Sequence, residues 1–355
     1  MNDNVSGGIV TATPAQISVL GSGQGGLISG GTVGERLLAH GFNINCLRTC
    51  ASEVQVHGNT VRVNGTLLED EWKAFDTTVQ QVAREKLVVT NLLLNKGLRS
   101  PLPNALGVMT LEWERVTGDL VDAEVTMSGL NEAQKDRMAF ETVSMPIPII
   151  HKEFFYNVRH LEAARRNGRQ PDVSHASVAA RKVAELIERT IFTGVTIGGT
   201  AIYGMLNHPQ RKTQAVTATW VTATGEQIVA DMVKAIDALS NVNNNHEGPF
   251  YVFVPTLVAA HMGEDYKANS DKTIMQRVME VPGVAGIQST GRLTGTNVLV
   301  VQLTSDVIEM IDGIQPTMVE WDSHGGFQKN FKVISIMLPR VRSDGWNQSG
   351  ILHMS

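Results

Sequence analysis

The run SHASVAARKVAELIERTIFT, from Ser174 to Thr193, constrains the fold more than any other stretch of the chain. Ala176, Ala180, Val183, Ile187 and Ile191 recur at helical spacing and form one apolar stripe, which Ala179 and Leu186 widen. Asp172 or Ser174 can cap its start, and Gly194 stands where a helix exit wants it. Twenty residues reach about 30 Å at ~1.5 Å each. An apolar face on a rod of that length has to be covered, so the remaining segments must supply a surface for it.

Those segments are mixed. A helix is expected from about Asp70 to Asn95, on Phe75, Val79, Val82, Ala83, Leu87 and Leu94, with Gly97 as its stop. The prolines of SPLPNALG then forbid helix. Residues 108–145 read as a long hairpin: VMTLEWERV, a second strand DAEVTMSG, a charged tip NEAQKDRM and a return FETVSMPIPII. Its apolar residues are thinly spread, so it is expected to lean on something outside its own domain. Thr224 and Gln227 make a capping box for a helix through Ile228, Met232, Ile236 and Leu239. GPFYVFVP, NVLVVQLT, DVIEMI, TMVEWD and FKVISIMLPRV read as strands, with short helices in PTLVAAHMGEDY and SDKTIMQRVMEV. The expected class is α+β.

Residues 1–70 differ from the rest. Seven glycines lie in GSGQGGLISGGTVG, and too few large apolar residues are present to build a core, so this segment reads as a flexible arm. A small hairpin is expected within it, Val54 and Val56 alternating before a His57-Gly58-Asn59 turn, then Val61 and Val63.

Composition excludes several functions. Thirty Lys and Arg against 35 Asp and Glu leave a net charge of −5, without the concentrated basic surface that sequence-reading DNA binding requires. No apolar run approaches the ~18 residues of a membrane-spanning helix, so no membrane association is expected. The opening MNDNVSGGIV lacks the head and core of a secretory signal, and two cysteines cannot form a disulfide framework; a reducing compartment is the expectation.

The sharpest catalytic-looking motif is a decoy. Gly21, Gly23 and Gly26 match a dinucleotide-binding turn, but three further glycines follow where the phosphate-binding helix must start. Asn45, Cys46 and Arg48 occupy the region of the acidic ribose ligand. His40, Cys46, Cys50 and His57 lack the spacing of a zinc knuckle, and the remaining histidines show no ligand motif. No nucleophile elbow occurs, and Glu69, Asp70 and Glu71 sit at a helix start, where negative charge complements the dipole. No catalytic residue, metal or cofactor is expected. The densest positive patch is Arg159, Arg165, Arg166 and Arg169, in NVRHLEAARRNGRQ. It reads either as a solvated helix end or as a surface facing a neighbouring subunit or phosphate.

The segment 146–194, PIPIIHKEFFYNVRHLEAARRNGRQPDVSHASVAARKVAELIERTIFTG, resembles the encapsulin-like phage major capsid proteins, which share the Hong Kong 97 phage-type shell fold. In that family an apolar return strand leads into an L-E-A-x-R-R turn. A capped spine helix then ends in F-x-G, here Phe192, Thr193 and Gly194. The likeness continues in IYGMLNHP, ATGEQI, GPFYVFVP, YKANSDKTIMQRVMEVPGV and LPRVRSDG, and spans about residues 70–350.

The resemblance implies an N-terminal arm (1–70), an N-terminal helix and linker (71–104) and an extended β-hairpin loop (105–148) lying over the next subunit. It further implies a peripheral domain with the spine helix (149–221 and 306–355) and an axial domain (222–305). The implied function is self-assembly into hexamers and pentamers of an icosahedral virion shell around phage double-stranded DNA, assembled in the host cytoplasm. The DNA would be contacted non-specifically, and scaffold, portal and decoration proteins are the implied further partners. The expected intersubunit contacts are Glu132, Lys135, Asp136 and Arg137 at the hairpin tip, with Arg159, Arg165, Arg166 and Arg169. Some relatives join subunits by a lysine–asparagine isopeptide bond. Lys135, with Asn330 or Asn347, could stand in those places, but no motif marks them as reactive. Two other readings stay open: a nanocompartment shell around a cargo enzyme, and an enzyme using the glycines at 21–26.

Overall fold

The computed structural model describes residues 53–56, 59–62 and 69–355, except 119–124, 126, 129, 131–137, 168–171, 243, 269, 294, 344, 345 and 347. In chain order the elements begin with a small hairpin, β1 (Glu53–Val56) and β2 (Asn59–Arg62), followed by helices α1 (Glu69–Lys86) and α2 (Val88–Asn95). Next come β3 (Arg99–Pro101), β4 (Thr110–Gly118), β5 (Met138–Pro146) and β6 (Ile150–Asn157). Helix α3 (Val158–Arg166) precedes the spine helix α4 (Ser174–Thr193), and β7 (Val195–Ile197), β8 (Thr200–Ile202) and β9 (Lys212–Gln214) follow. Then come α5 (Gly225–Ser240), β10 (Phe250–Pro255), α6 (Thr256–His261), α7 (Ile274–Met279), β11 (Val284–Thr290) and β12 (Val298–Gln302). The chain closes with β13 (Ile308–Ser323), β14 (Gln328–Val341) and β15 (Ile351–Met354).

The spine helix has the bounds its stripe dictates. Ala176, Ala180, Val183, Ile187 and Ile191 are all buried, whereas Leu186, at the margin of the stripe, is half-buried. Asp172 accepts hydrogen bonds from the Ser174 backbone N–H (2.9 Å) and hydroxyl (2.6 Å), closing the start of the helix. At the exit Gly194 has φ +65°, and a Cβ there would collide with the Ile202 carbonyl. The helix lies on a four-stranded sheet ordered β3-β13-β14-β6, beside α1. Phe75 of α1 and Phe154 of β6 stack on Phe331 of β14 with ring centroids 5.7 and 5.2 Å apart.

A second sheet has five strands, ordered β11-β10-β12-β15-β9. Its pleat divides the molecule into two cores. Val252 and Val254 of β10, with Val298 and Val300 of β12, face Ile228, Met232 and Leu239 of α5. Phe253, Leu299 and Val301 point the other way, into the core that holds the spine helix. There Phe253 meets Phe192 edge to face, at 5.8 Å.

Several expectations need correction. The single helix expected over 70–95 is two, broken at Leu87 (φ −85°, ψ 62°). The LEAARR segment is a helix rather than a turn, with Asn157 as its cap. DVIEMI and TMVEWD merge into β13, whose register shifts between Asp312 and Ile314 and between Ile314 and Thr317 mask the continuity. In the first hairpin Asn59 belongs to β2 and pairs with Val56 instead of lying in the turn. Of the stretch read as a second strand, DAEVTMSG, the described residues Val125, Met127 and Ser128 are in no strand. Residues 351–354, assigned with 306–355 to the peripheral part and not read as a strand, form β15, which pairs with β12 and β9 in the five-stranded sheet. That sheet therefore draws on residues outside 222–305.

Candidate intersubunit surfaces

Strands β4 and β5 pair over nine residues each, from Thr110 opposite Pro146 to Gly118 opposite Met138, and among the described residues they hydrogen-bond to no third strand. A two-stranded ribbon is marginal in water unless its faces are covered. One face is covered at its base: Leu111 and Trp113 pack on the main core and Met145 is buried in it. Beyond the base the cover stops. Phe140 is 63% exposed, and Val125, Met127 and Leu130, described residues of the tip, are almost fully exposed. Among the described residues nothing covers these apolar groups.

The ribbon leans on the body through Arg115. Its guanidinium binds Glu141, directly opposite on β5, at 2.5 Å, and donates to Gln210 Oε1 at 3.4 Å. Beneath it lies a cleft of about 490 Å³, lined among others by Trp113, Arg115, Tyr203, His208 and Arg342. A second apolar feature sits on the four-stranded sheet. Leu106, Ile149, Val319, Trp321 and Ile334 line an open groove, with the Lys332 ammonium 5.4 Å from the Trp321 ring. Phe155 and Phe327, both about 60% exposed, add apolar area on the edge strand β6 and the turn beside it.

Of the residues expected at contacts, Arg159 and Arg166 are exposed on α3. Arg165 is engaged inside the subunit. It forks onto Glu71 of α1 (Nε–Oε1 3.0 Å, Nη2–Oε2 2.6 Å) and reaches Glu162 at 2.6 Å. Glu71 beside it raises the guanidinium pKa above the ordinary value. Glu132, Lys135, Asp136, Arg137 and Arg169 lie outside the described residues, as do Asn347, the glycines at 21–26 and His40, Cys46, Cys50 and His57. Asn330 is buried, donating to Ser323 Oγ and accepting from Gln328, both at 2.7 Å. Among the described residues no three His, Cys, Asp or Glu side chains are grouped to hold a metal, and no helix is long and apolar enough to cross a membrane.

Sequence reasoning missed the polar ties that hold the elements in place. Glu188 on the buried side of the spine helix accepts from the Val89 and Thr90 backbone N–H groups (3.2 and 2.9 Å) and the Thr90 hydroxyl (2.9 Å). Burial pushes its carboxyl up, and these donors pull it back. Asp231, fully buried on α5, accepts from Thr217 N at 3.0 Å and Oγ1 at 2.5 Å. A lone acid within an apolar periodicity was the signal available for both.

The comparisons agree with this architecture. Over 284 residues the chain is 25% identical to a type 1 encapsulin shell protein of Myxococcus xanthus, covering 78% of this chain and 90% of that protein. Its fold is similar to that of a virus-like particle from Pyrococcus furiosus, with TM-score 0.55 and 18% identity over 79% of this chain and 98% of that one. It is also similar to the capsid of the myovirus phage XM1, with TM-score 0.53 and 15% identity over 69% and 84%. The fold is thus the Hong Kong 97 phage-type capsid fold. The model of a family of unknown function, DUF6260, matches residues 59–354, and the chain belongs to that family.

Proposed function

We propose that the chain is a major capsid protein whose copies assemble into a closed icosahedral shell around phage double-stranded DNA. The observation that carries this reading is the β4–β5 ribbon. Its base is packed on the subunit, while Phe140, Val125, Met127 and Leu130 are left uncovered by the described residues. In a shell a neighbouring copy covers them, and no small closed oligomer is required. The shell proteins to which the chain is similar support the same reading. The net charge of −5 suits a container that holds DNA without binding it tightly. The protein acts structurally; scaffold, portal and decoration proteins would be its partners, and the virion its place.

A nanocompartment shell enclosing a cargo enzyme is the second reading, favoured by the 90% coverage of the Myxococcus xanthus protein. Electron microscopy of the purified full-length chain, with the nucleic acid content of the particles, tests both. Shells capable of taking up DNA support the first reading. Shells that stay free of nucleic acid and co-purify with an enzyme support the second, and the absence of shells opposes both.

A further inference from the structure

Besides the core contacts of Leu111, Trp113 and Met145, the ribbon meets the body of the subunit at a turn organised around one histidine. His208 is 6% exposed and lies directly below β4 and β5. Its Nδ1 accepts from the Gln210 backbone N–H at 3.3 Å, which places the ring proton on Nε2. Tyr203 packs edge-on against the ring at 5.7 Å, and the His208 backbone N–H donates to the Gly204 carbonyl at 3.1 Å. The same turn presents Gln210 to Arg115, the described hydrogen bond between the side chains of ribbon and turn.

The charges around His208 are mostly positive. Arg115 of β4 and Arg342 line the same cleft, and Arg211 donates from Nη1 to the His208 carbonyl at 3.1 Å. Glu141 also lines the cleft, but its carboxylate is held by Arg115. A proton on Nδ1 would turn the acceptor facing Gln210 N–H into a donor. It would also add a cation to a buried site that already holds arginines.

We propose that His208 is an acid-sensitive latch: neutral, it fastens the 203–210 turn under the ribbon, and protonated, it releases the ribbon from the subunit body. Burial, followed by the nearby Arg115 and Arg211, lowers its pKa to about 4. The direction follows. The latched state favours the neutral ring, so its contribution is complete above the ordinary value of 6.5 and is lost as pH falls from there towards about 4.

Amide hydrogen exchange of the full-length protein, corrected for the intrinsic pH dependence of exchange, tests the latch. Between about pH 7 and 4.5, opening of β4 and β5 should rise about fiftyfold, while the spine helix stays protected. His208→Asn keeps an acceptor near Nδ1 and does not titrate, so its ribbon should show no such rise. Arg115→Gln removes a repelling charge, so the histidine's midpoint, read by NMR of the ring, should move up. A wild-type ribbon indifferent to acid, an equal rise in His208→Asn, or a ring midpoint near 6.5 would overturn the latch. Should His208→Asn fail to fold, the ring midpoint and its shift in Arg115→Gln still decide.

Discussion

Glu188 of the spine helix caps a helix almost one hundred residues earlier in the chain: its carboxylate accepts from both the backbone N–H and the hydroxyl of Thr90, each at 2.9 Å. Leu87, at the N-cap of α2, offers no side-chain acceptor, so this carboxylate supplies what the local sequence lacks. One contact thereby fixes the α1–α2 break against the spine.

Replacing that carboxylate tests the arrangement. Glu188→Ala leaves the Val89 and Thr90 donors buried and unpaired, and should destabilise the subunit by about 2–4 kcal/mol in urea unfolding. Thr90→Val should cost about 1 kcal/mol, and far less in the Glu188→Ala background. Additive losses would show that the two residues do not act as a pair.

The glycines that end the helices differ in cost. Gly194 has φ +65° and would collide with Ile202 through any Cβ; Gly97 has φ +78° and open space around it. Gly97→Ala should therefore cost only about 1 kcal/mol, for the backbone conformation alone. Gly194→Ala should cost severalfold more, since Ile202 O and Gly204 N are backbone atoms and β8 must move. Thermal melts of the two variants make the comparison.

On the spine stripe the severe position is Ile187, fully buried, and not the half-buried Leu186. Ile187→Asp should abolish soluble expression, because an unpaired carboxylate there costs several kcal/mol, close to the stability of a whole domain. Leu186→Asp should give soluble protein that melts early. Equal solubility of the two would contradict the packing described.

Glu185 joins the spine to the loop between β11 and β12, meeting Arg181 at 2.8 Å, Lys182 at 3.3 Å and Arg292 at 3.4 Å. Arg181 chiefly, with Lys182 and Arg292, holds its carboxyl down to about 2. A carboxylate lowered in the folded state stabilises above its ordinary value of 4.5, and that contribution fades as pH falls towards 2. Since Arg181 and Lys182 are exposed, Glu185→Gln should cost no more than about 1 kcal/mol at neutral pH. The difference from wild type should vanish near pH 2 and shrink in high salt. Melting temperatures across that range measure it.

Much of this architecture is legible in the sequence, for local reasons. The spine stripe, the Thr224–Gln227 capping box and the helix stops at Gly97 and Gly194 each depend on residues within a turn or two. What was illegible depends on distant pairing. DVIEMI, TMVEWD and FKVISIMLPRV read as strands, but the continuity of β13 did not show, because its place in the sheet passes two register shifts that only the pairing with β14 carries across. Strand β15 acquires its place by pairing with β12, some fifty residues earlier, and with β9, earlier still. Helix α3 buries Leu161 alone, too weak a pattern to separate from a turn. The exposure of the hairpin was legible as thin apolar content, whereas the engagement of Arg165 by Glu71 was not.

The ribbon tip separates folding from assembly. Replacing residues 129–137 by a short Gly-Ser turn should leave circular dichroism and melting near normal, because Leu130, the large apolar residue there, is almost fully exposed. Assembly should fail, since weak contacts repeated over a shell stand or fall together. Variants that still form normal shells would mean that the ribbon is not a strap.

Sedimentation velocity of the purified full-length chain at high concentration addresses the central claim most directly. The account predicts megadalton particles, or capsomer rings that close into shells when a scaffold is supplied. Stable monomers and dimers alone, unchanged by a scaffold, would contradict it.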